Sequence, residues 1–405
     1  MIPYHISENN DFKELKSIQL ALVPSIISHH INGNIFTVTS YNKEKEKLTI
    51  IDINTTDGSF NLHQEINSPN ATSLFRLDNR TVIINKKNKS LFIKEINSCS
   101  SRKSYKIDIP KEKLKLYKLI TKEGPRAVNQ NEYVEKGAIS TRKVYLSGTI
   151  LTFTYDNLII NTTDVMSIDY FKNDSIEIKS FDFSNLDEIN DYNTFIENNK
   201  LYTVSSSKKD LVINIIDLET EIIEKSFSLI ENLKDIYSDS ESFLKNVKKA
   251  RIRPTLTVNK TKNENLLLRI DQVDHTTYQY NYNWWFQEWW FHQQMIEQME
   301  TQQRLMNNVP SGFGPSPEIE IDFYYFNNLV NEIVPIEFVV NQKFEIIKNA
   351  TKETKYKNIK KDKYLEPFSE NKKYKNFSAC FSNTEMRYIY LDKKSKKVHF
   401  KTVKI

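Results

Sequence analysis

Glycine is scarce in this chain, with 7 in 405 residues. Tight turns therefore fall to Asn, Asp, Ser and Lys, of which Asn and Asp best tolerate the left-handed backbone that glycine otherwise supplies. The 2 cysteines, Cys99 and Cys380, lie far apart with no CxxC or Cys/His spacing. Neither a disulfide framework nor a zinc site is indicated, and reduced thiols are the expectation. No run of about 18 apolar residues occurs, so no helix is expected to span a bilayer. No GxGxxG, GxxxxGK[ST], GxSxG or HExxH motif is present, which removes the nucleotide, hydrolase-elbow and zincin readings. No family signature stands out, and no cofactor or metal is expected. The opening Met1-Ile2-Pro3-Tyr4-His5 lacks a basic stretch leading into an apolar core, so no secretory signal is read there. The cytoplasm, or a place within an assembly, is the default expectation.

Charge of one sign is also missing. The 57 basic and 52 acidic residues leave a net +5 spread along the chain, which makes no electrostatic case for a nucleic-acid partner. Asn-x-Ser/Thr triplets such as Asn54-Thr55-Thr56 are chance occurrences in a chain so rich in Asn.

What is present is β-structure. Hydrophobic residues make up 39% and charged residues 27%, too apolar for general disorder and enough for a sizeable core. From Ile26 onward, short alternating runs rich in Ile, Val, Thr, Tyr and Phe are broken by polar turn residues, the pattern of strands. The runs group into units. The first spans 24–66, the second 72–109 and the third 116–183, its strands read at 116–121, 144–148, 150–155, 158–161 and 176–181. The fourth, 192–229, is the clearest copy. A fifth starts at 256–258 and 266–271 and resumes at 319–326 and 333–338. A sixth occupies 377–403. Four strands per unit joined by hairpins is the plan of a propeller blade. The expected fold class is therefore all-β, a single β-propeller over residues 1–405 with about six four-stranded blades. Part of 2–22 is expected to supply the outer strand that closes the last blade. Five or seven blades and a pair of β-sandwiches are the rival arrangements.

Four stretches break the repeat. Residues 122–143 form a polar insertion in the third unit. In 232–253, Leu233, Ile236, Phe243, Leu244 and Val247 fall at roughly helical spacing, so a short helix between blades is expected. Residues 344–376 are Lys-rich and read as a long exposed loop. Residues 274–317 form a Trp/Gln/Met-rich insertion in the fifth unit.

That last insertion holds all 4 tryptophans. Read as a helix over 284–306, it places Trp285, Trp289, Ile296, Met299 and Met306 near one face, broadened by Trp284, Phe291 and Met295. Pro310, Gly312, Gly314, Pro315 and Pro317 then end it. Three readings compete for this surface. It is a cap buried on the blades; it is a docking surface, since Trp and Met favour adaptable hot spots; or it lies in a membrane interface, for which Gln and Glu are the wrong polar face. The candidate partner-binding residues are Trp284, Trp285, Phe286, Trp289, Trp290, Phe291, Met295 and Met299, with a protein partner expected.

No catalytic residue is assigned. The alternative reading is a glycan-binding or glycan-cleaving propeller, with indole platforms and the carboxylates Asp271, Asp274 and Asp322, near which His275, Glu288 and His292 fall in sequence. Their spacing is not specific, and acids flanking a loop explain it as well. His29, His30 and His63 show no metal spacing.

Overall fold

The computed structural model describes residues 4–6, 12–14, 25–42, 46–66, 73–122, 124–130, 134, 140–172, 176–183, 189–207, 209–237, 240–247, 252–274, 335–357, 359, 364, 374–381, 384–392, 395 and 398–405. They form a nearly all-β chain of antiparallel sheets that follow one another in chain order. A short hairpin comes first, β1 (Tyr4–Ile6) against β2 (Phe12–Glu14). The first full sheet joins β3 (Ser25–Asn32), β4 (Ile35–Asn42), β5 (Lys47–Asn54) and β6 (Phe60–Glu65). The second joins β7 (Ser73–Arg76), β8 (Thr81–Lys87), β9 (Ser90–Ile96) and β10 (Arg102–Asp108). Helix α1 (Leu114–Ile120) leads to the third sheet: β11 (Arg126–Val128), β12 (Arg142–Ser147), β13 (Ile150–Asn157), β14 (Thr162–Asp169) and β15 (Ile176–Asp182). The fourth holds β16 (Ile189–Glu197), β17 (Lys200–Ser207), β18 (Leu211–Asp217) and β19 (Ile223–Ser228). Helix α2 (Ser240–Val247) precedes a sheet of β20 (Ile252–Lys260), β21 (Leu266–Asp274) and β22 (Ile336–Val340). The last contains β23 (Tyr374–Phe381), β24 (Glu385–Asp392) and β25 (Val398–Lys404).

This is a β-propeller, and its own packing shows why. First strands of successive sheets neighbour one another at three junctions: β3 meets β7, β7 meets β11, and β16 meets β20. Burial then falls outward. Strands β5 and β17 bury six consecutive residues each, whereas the last strands β6 and β19 are mostly open to water. Middle strands buried on both faces read as continuous Ile/Val/Leu/Tyr runs, and outer strands read as charged alternation. The core consequently lies between sheets. Ile27, Leu48 and Ile50 of the first sheet meet Ile83 and Ile96 of the second. Phe75, Ile84 and Ile93 of the second meet Phe153, Met166 and Ile168 of the third, with Tyr117 and Ile120 of α1 closing that layer. Tyr145 and Val165 of the third, Phe195, Val204 and Ile213 of the fourth and Leu256, Leu268 and Phe338 of the fifth share one cluster with Phe243 and Val247 of α2.

Several expectations are corrected. Residues 116–121, read as a strand, lie in or next to α1, because Tyr117 and Ile120 are spaced for a helical face and both are fully buried. Residues 158–161, read as a strand, are a turn: the Asn157 side chain accepts the Ile159 N–H at 3.2 Å, Asn161 takes φ 52°, and Ile159 is 92% exposed. The strand starts after it, at Thr162. Inside the polar insertion 122–143 stands a strand that alternation did not show, β11, parallel to β12. The closing role expected for 2–22 has no support among the described residues, where β1 and β2 pair with each other. The strand expected at 319–326 lies outside the described residues.

Candidate functional site

Strands β21 and β22 carry the long insertion between them. Their ladder runs from Leu266 opposite Val340 to Ile270 opposite Ile336, and β21 continues on β20 as far as Asp274 opposite Ile252. Both ends of the insertion therefore leave from one end of one sheet. Leu266, Leu268, Ile270, Ile336, Phe338 and Val340 sit in the common core, so the base is packed on its neighbour sheet. Trp284, Trp285, Phe286, Trp289, Trp290, Phe291, Met295 and Met299 lie outside the described residues, as do His275, Glu288, His292 and Asp322.

Of the candidate carboxylates, Asp271 is the one whose side chain is described. Arg269, two residues earlier on the same strand face, holds it with two parallel hydrogen bonds of 2.8 Å, Nε to Oδ2 and Nη2 to Oδ1. Arg269 Nη1 also reaches Glu337 at 3.1 Å, and Lys352 stands 3.6 Å from the same carboxylate. Both Asp271 oxygens are engaged in a buried fork. That geometry orients a guanidinium; it is a poor one for a base or nucleophile, which needs a free lone pair facing substrate.

His30 and His63 are likewise engaged. His30 Nε2–H donates to the carbonyl of Asn97 at 2.9 Å, which leaves Nδ1 facing the Thr81 hydroxyl at 3.2 Å. Ser28 extends this chain to Thr81 at 2.7 Å. Burial is the main cause that pushes the His29 imidazole down, with Arg76 and His30 adding to it. His63 lies 3.4 Å from Glu65. Among the described residues no group of three His, Cys, Asp or Glu side chains is placed to hold a metal ion. Cys99 is buried, its thiol aimed at the carbonyl of Ile50, and burial pushes it up to about 11. Such a thiol is unreactive at neutral pH.

A polar cluster that sequence reasoning missed joins the third and fourth sheets. Lys143, fully buried on β12, donates to Asp156 Oδ2 on β13 at 2.6 Å. Thr163 from β14 and Thr194 from β16 donate to the other oxygen at 3.0 and 2.7 Å. Close by, Arg253 on β20 pairs with Asp191 on β16 at 3.2 Å. Burial is the main force lowering the Lys143 ammonium; Asp156 opposes it and the Arg253 charge adds to it. The hydroxyls of Tyr145 and Tyr192 are pushed up, first by burial and then by the Asp156 charge. An acceptor held by three donors from three strands is a pin between sheets rather than a proton shuttle. The available signal was a charged residue inside an apolar strand run, Lys143-Val144-Tyr145-Leu146, which cannot face a core without a partner.

No protein-family model matches this chain, and no curated protein matches it in sequence. Solved structures similar to it include the β-propeller domain of the Trilobed protease from Pyrococcus furiosus, at 10% identity over 94% of this chain and 82% of that one, with a TM-score of 0.31. The Dos1 propeller aligns at 11% identity over 66% of this chain and 55% of its own, TM-score 0.29. Apo AztD from Citrobacter koseri aligns at 12% identity over 54% and 52%, TM-score 0.28. The chain thus spans about half the length of the last two. The propeller assignment rests on the sheets themselves.

Proposed function

We propose that this protein is a non-enzymatic β-propeller interaction module, a structural or docking component of a larger protein assembly, that grips its partner through residues 284–306 of the aromatic insertion 274–317. One observation carries the reading: all 4 tryptophans lie in the connection between two hydrogen-bonded strands of one well-packed sheet. A contact element rooted on a rigid base loses less entropy on binding than one on a free loop, and Trp is the residue most enriched at binding hot spots. The glycan reading ranks second because Asp271, one of its three carboxylates, is committed to Arg269.

Tryptophan emission of the isolated protein tests the proposal, since every indole reports on the insertion. Red-shifted emission that acrylamide quenches readily is the expected result, with quenching lost when the partner is bound. Blue-shifted, protected emission in the isolated protein would mean a buried cap and would remove the proposal. A blue shift on titration with an oligosaccharide panel would move the assignment to the glycan reading.

A further inference from the structure

One short stretch of the insertion 122–143 touches four successive sheets by hydrogen bonds. Ser73, at the head of β7, donates its hydroxyl to the carbonyl of Pro125 at 2.5 Å. Arg126, Ala127 and Val128 pair in parallel with Lys143, Val144 and Tyr145 on the inner edge of β12. Gln130 Nε2 donates to the carbonyl of Ile196 at 2.7 Å and to the carboxylate of Glu197 at 2.9 Å, both at the end of β16. Val134 and Asn259, near the end of β20, exchange two bonds: N–H to Oδ1 at 3.1 Å and Nδ2 to the carbonyl at 3.4 Å.

The partners share a position. Strands β7, β16 and β20 are the edge strands of their sheets, and β12 would be one without β11. An edge strand carries a row of unpaired N–H and C=O groups, and where such edges are buried those groups must be satisfied. The chain does this with side-chain amides as well as backbone. Asn193 Oδ1 accepts the Leu256 N–H at 3.1 Å across two neighbouring inner strands. Val128 and Val134 are 3% and 7% exposed and belong to the same core as Tyr145 and Phe195. A stretch that reads as a polar loop is thus built into the interior, running from the head of β7 to the tails of β16 and β20.

We infer that Pro125 to Gln130, with Val134, form an internal clasp along the line where the inner strands meet, pairing the edge of β12, tying it to the head of β7 and the ends of β16 and β20, and taking that axial place for the chain itself. This goes beyond the docking role: it leaves the faces and rim of the propeller, not its axis, for partners.

Hydrogen exchange on the full-length protein tests the clasp. The Val134 amide and the amides of the β11–β12 ladder are expected to exchange roughly a hundredfold or more slower than a free peptide, as inner-strand amides do. Replacing Asn259 by Ala (N259A) removes both bonds, and the loss of the acceptor of the Val134 N–H is expected to speed exchange at Val134 by roughly tenfold, while β17 and β18 keep their protection. Free-peptide rates at these amides in the wild type, or an N259A protein with Val134 unchanged, would overturn the inference. Should N259A not fold, Q130A read at the same amides decides, with faster exchange across β11 expected and no change counting against.

Discussion

At the scale of single residues, the buried charges lend themselves to measurement. Lys143 and Asp156 are both out of water, at 0% and 1% side-chain exposure, and each is the other's main compensation. Removing one partner leaves an uncompensated charge, whereas removing both can be close to neutral. Asp156→Ala is therefore expected to lower the unfolding free energy by about 3 to 5 kcal/mol in urea titrations, and the double change Lys143→Met with Asp156→Leu to recover most of that loss. Equal losses in the single and double variants would show that the two threonine hydrogen bonds, not the ion pair, carry the cluster.

Glu197 gives a pH-dependent counterpart. Burial pushes its carboxyl above the ordinary value, and the Lys260 ammonium, 3.5 Å away, only partly offsets this. The folded chain then holds the Glu197 proton more tightly than the unfolded chain does. Ionisation accordingly costs the folded state nothing below the unfolded carboxylate range, and the cost grows as pH rises through the folded value. Glu197→Gln, whose amide oxygen still accepts from Gln130, should match the wild type at about pH 4 and be the more stable protein at about pH 8. Destabilisation at both ends would mean that the Lys260 contact outweighs burial.

At the scale of elements, most of the scaffold was legible because each four-strand unit repeats one local rule. The fourth unit is the example: alternation over 192–229 predicts four strands, and β16 to β19 run over 189–228 with one-to-one antiparallel pairing broken by two bulges. The departures from that rule come from local chemistry at the ends of the units. Alternation cannot distinguish Leu116 to Ile120 as a strand from one face of a short helix, and Pro110, which precedes the helical turn at Lys111, is the local sign of a helix start. Turns were expected from Asn, Asp, Ser and Lys. Asn does supply Asn88, Asn161, Asn198, Asn199 and Asn349 at positive φ, but Glu46, Glu221, Glu264 and Phe344 also adopt it, a cost that few glycines forces elsewhere. The β16–β17 hairpin shows the rule at its simplest, with Asn198 at φ 50° and Asn199 at φ 58° as its two central residues. Both must be left-handed for the turn to match the strand twist. Asn199→Val should cost about 1 to 2 kcal/mol by thermal unfolding, and Asn199→Gly should be neutral or better. A silent Asn199→Val would mean that this turn does not hold the register.

At the scale of the molecule, the question is whether the scaffold needs the aromatic insertion. The site was legible only as composition: four indoles in one segment mark it, but strand periodicity does not say what such a segment lies against. The strands that bracket it argue for independence. Ile270 opposite Ile336 closes the β21–β22 ladder, Asp274 lies only a few residues beyond it, and the core faces of both strands pack against the fourth sheet. Replacing 278–332 with a flexible linker of about six residues, close to an ordinary hairpin connection, should therefore leave the propeller folded, with a Tm within a few degrees of the wild type. A ΔΔG of about 1 kcal/mol moves Tm by only about 2 °C or less in a chain this long. A fall of tens of degrees would place the indoles among the core contacts that hold the sheets. It would count for the capping role against docking, and the partner would then have to be sought on another face.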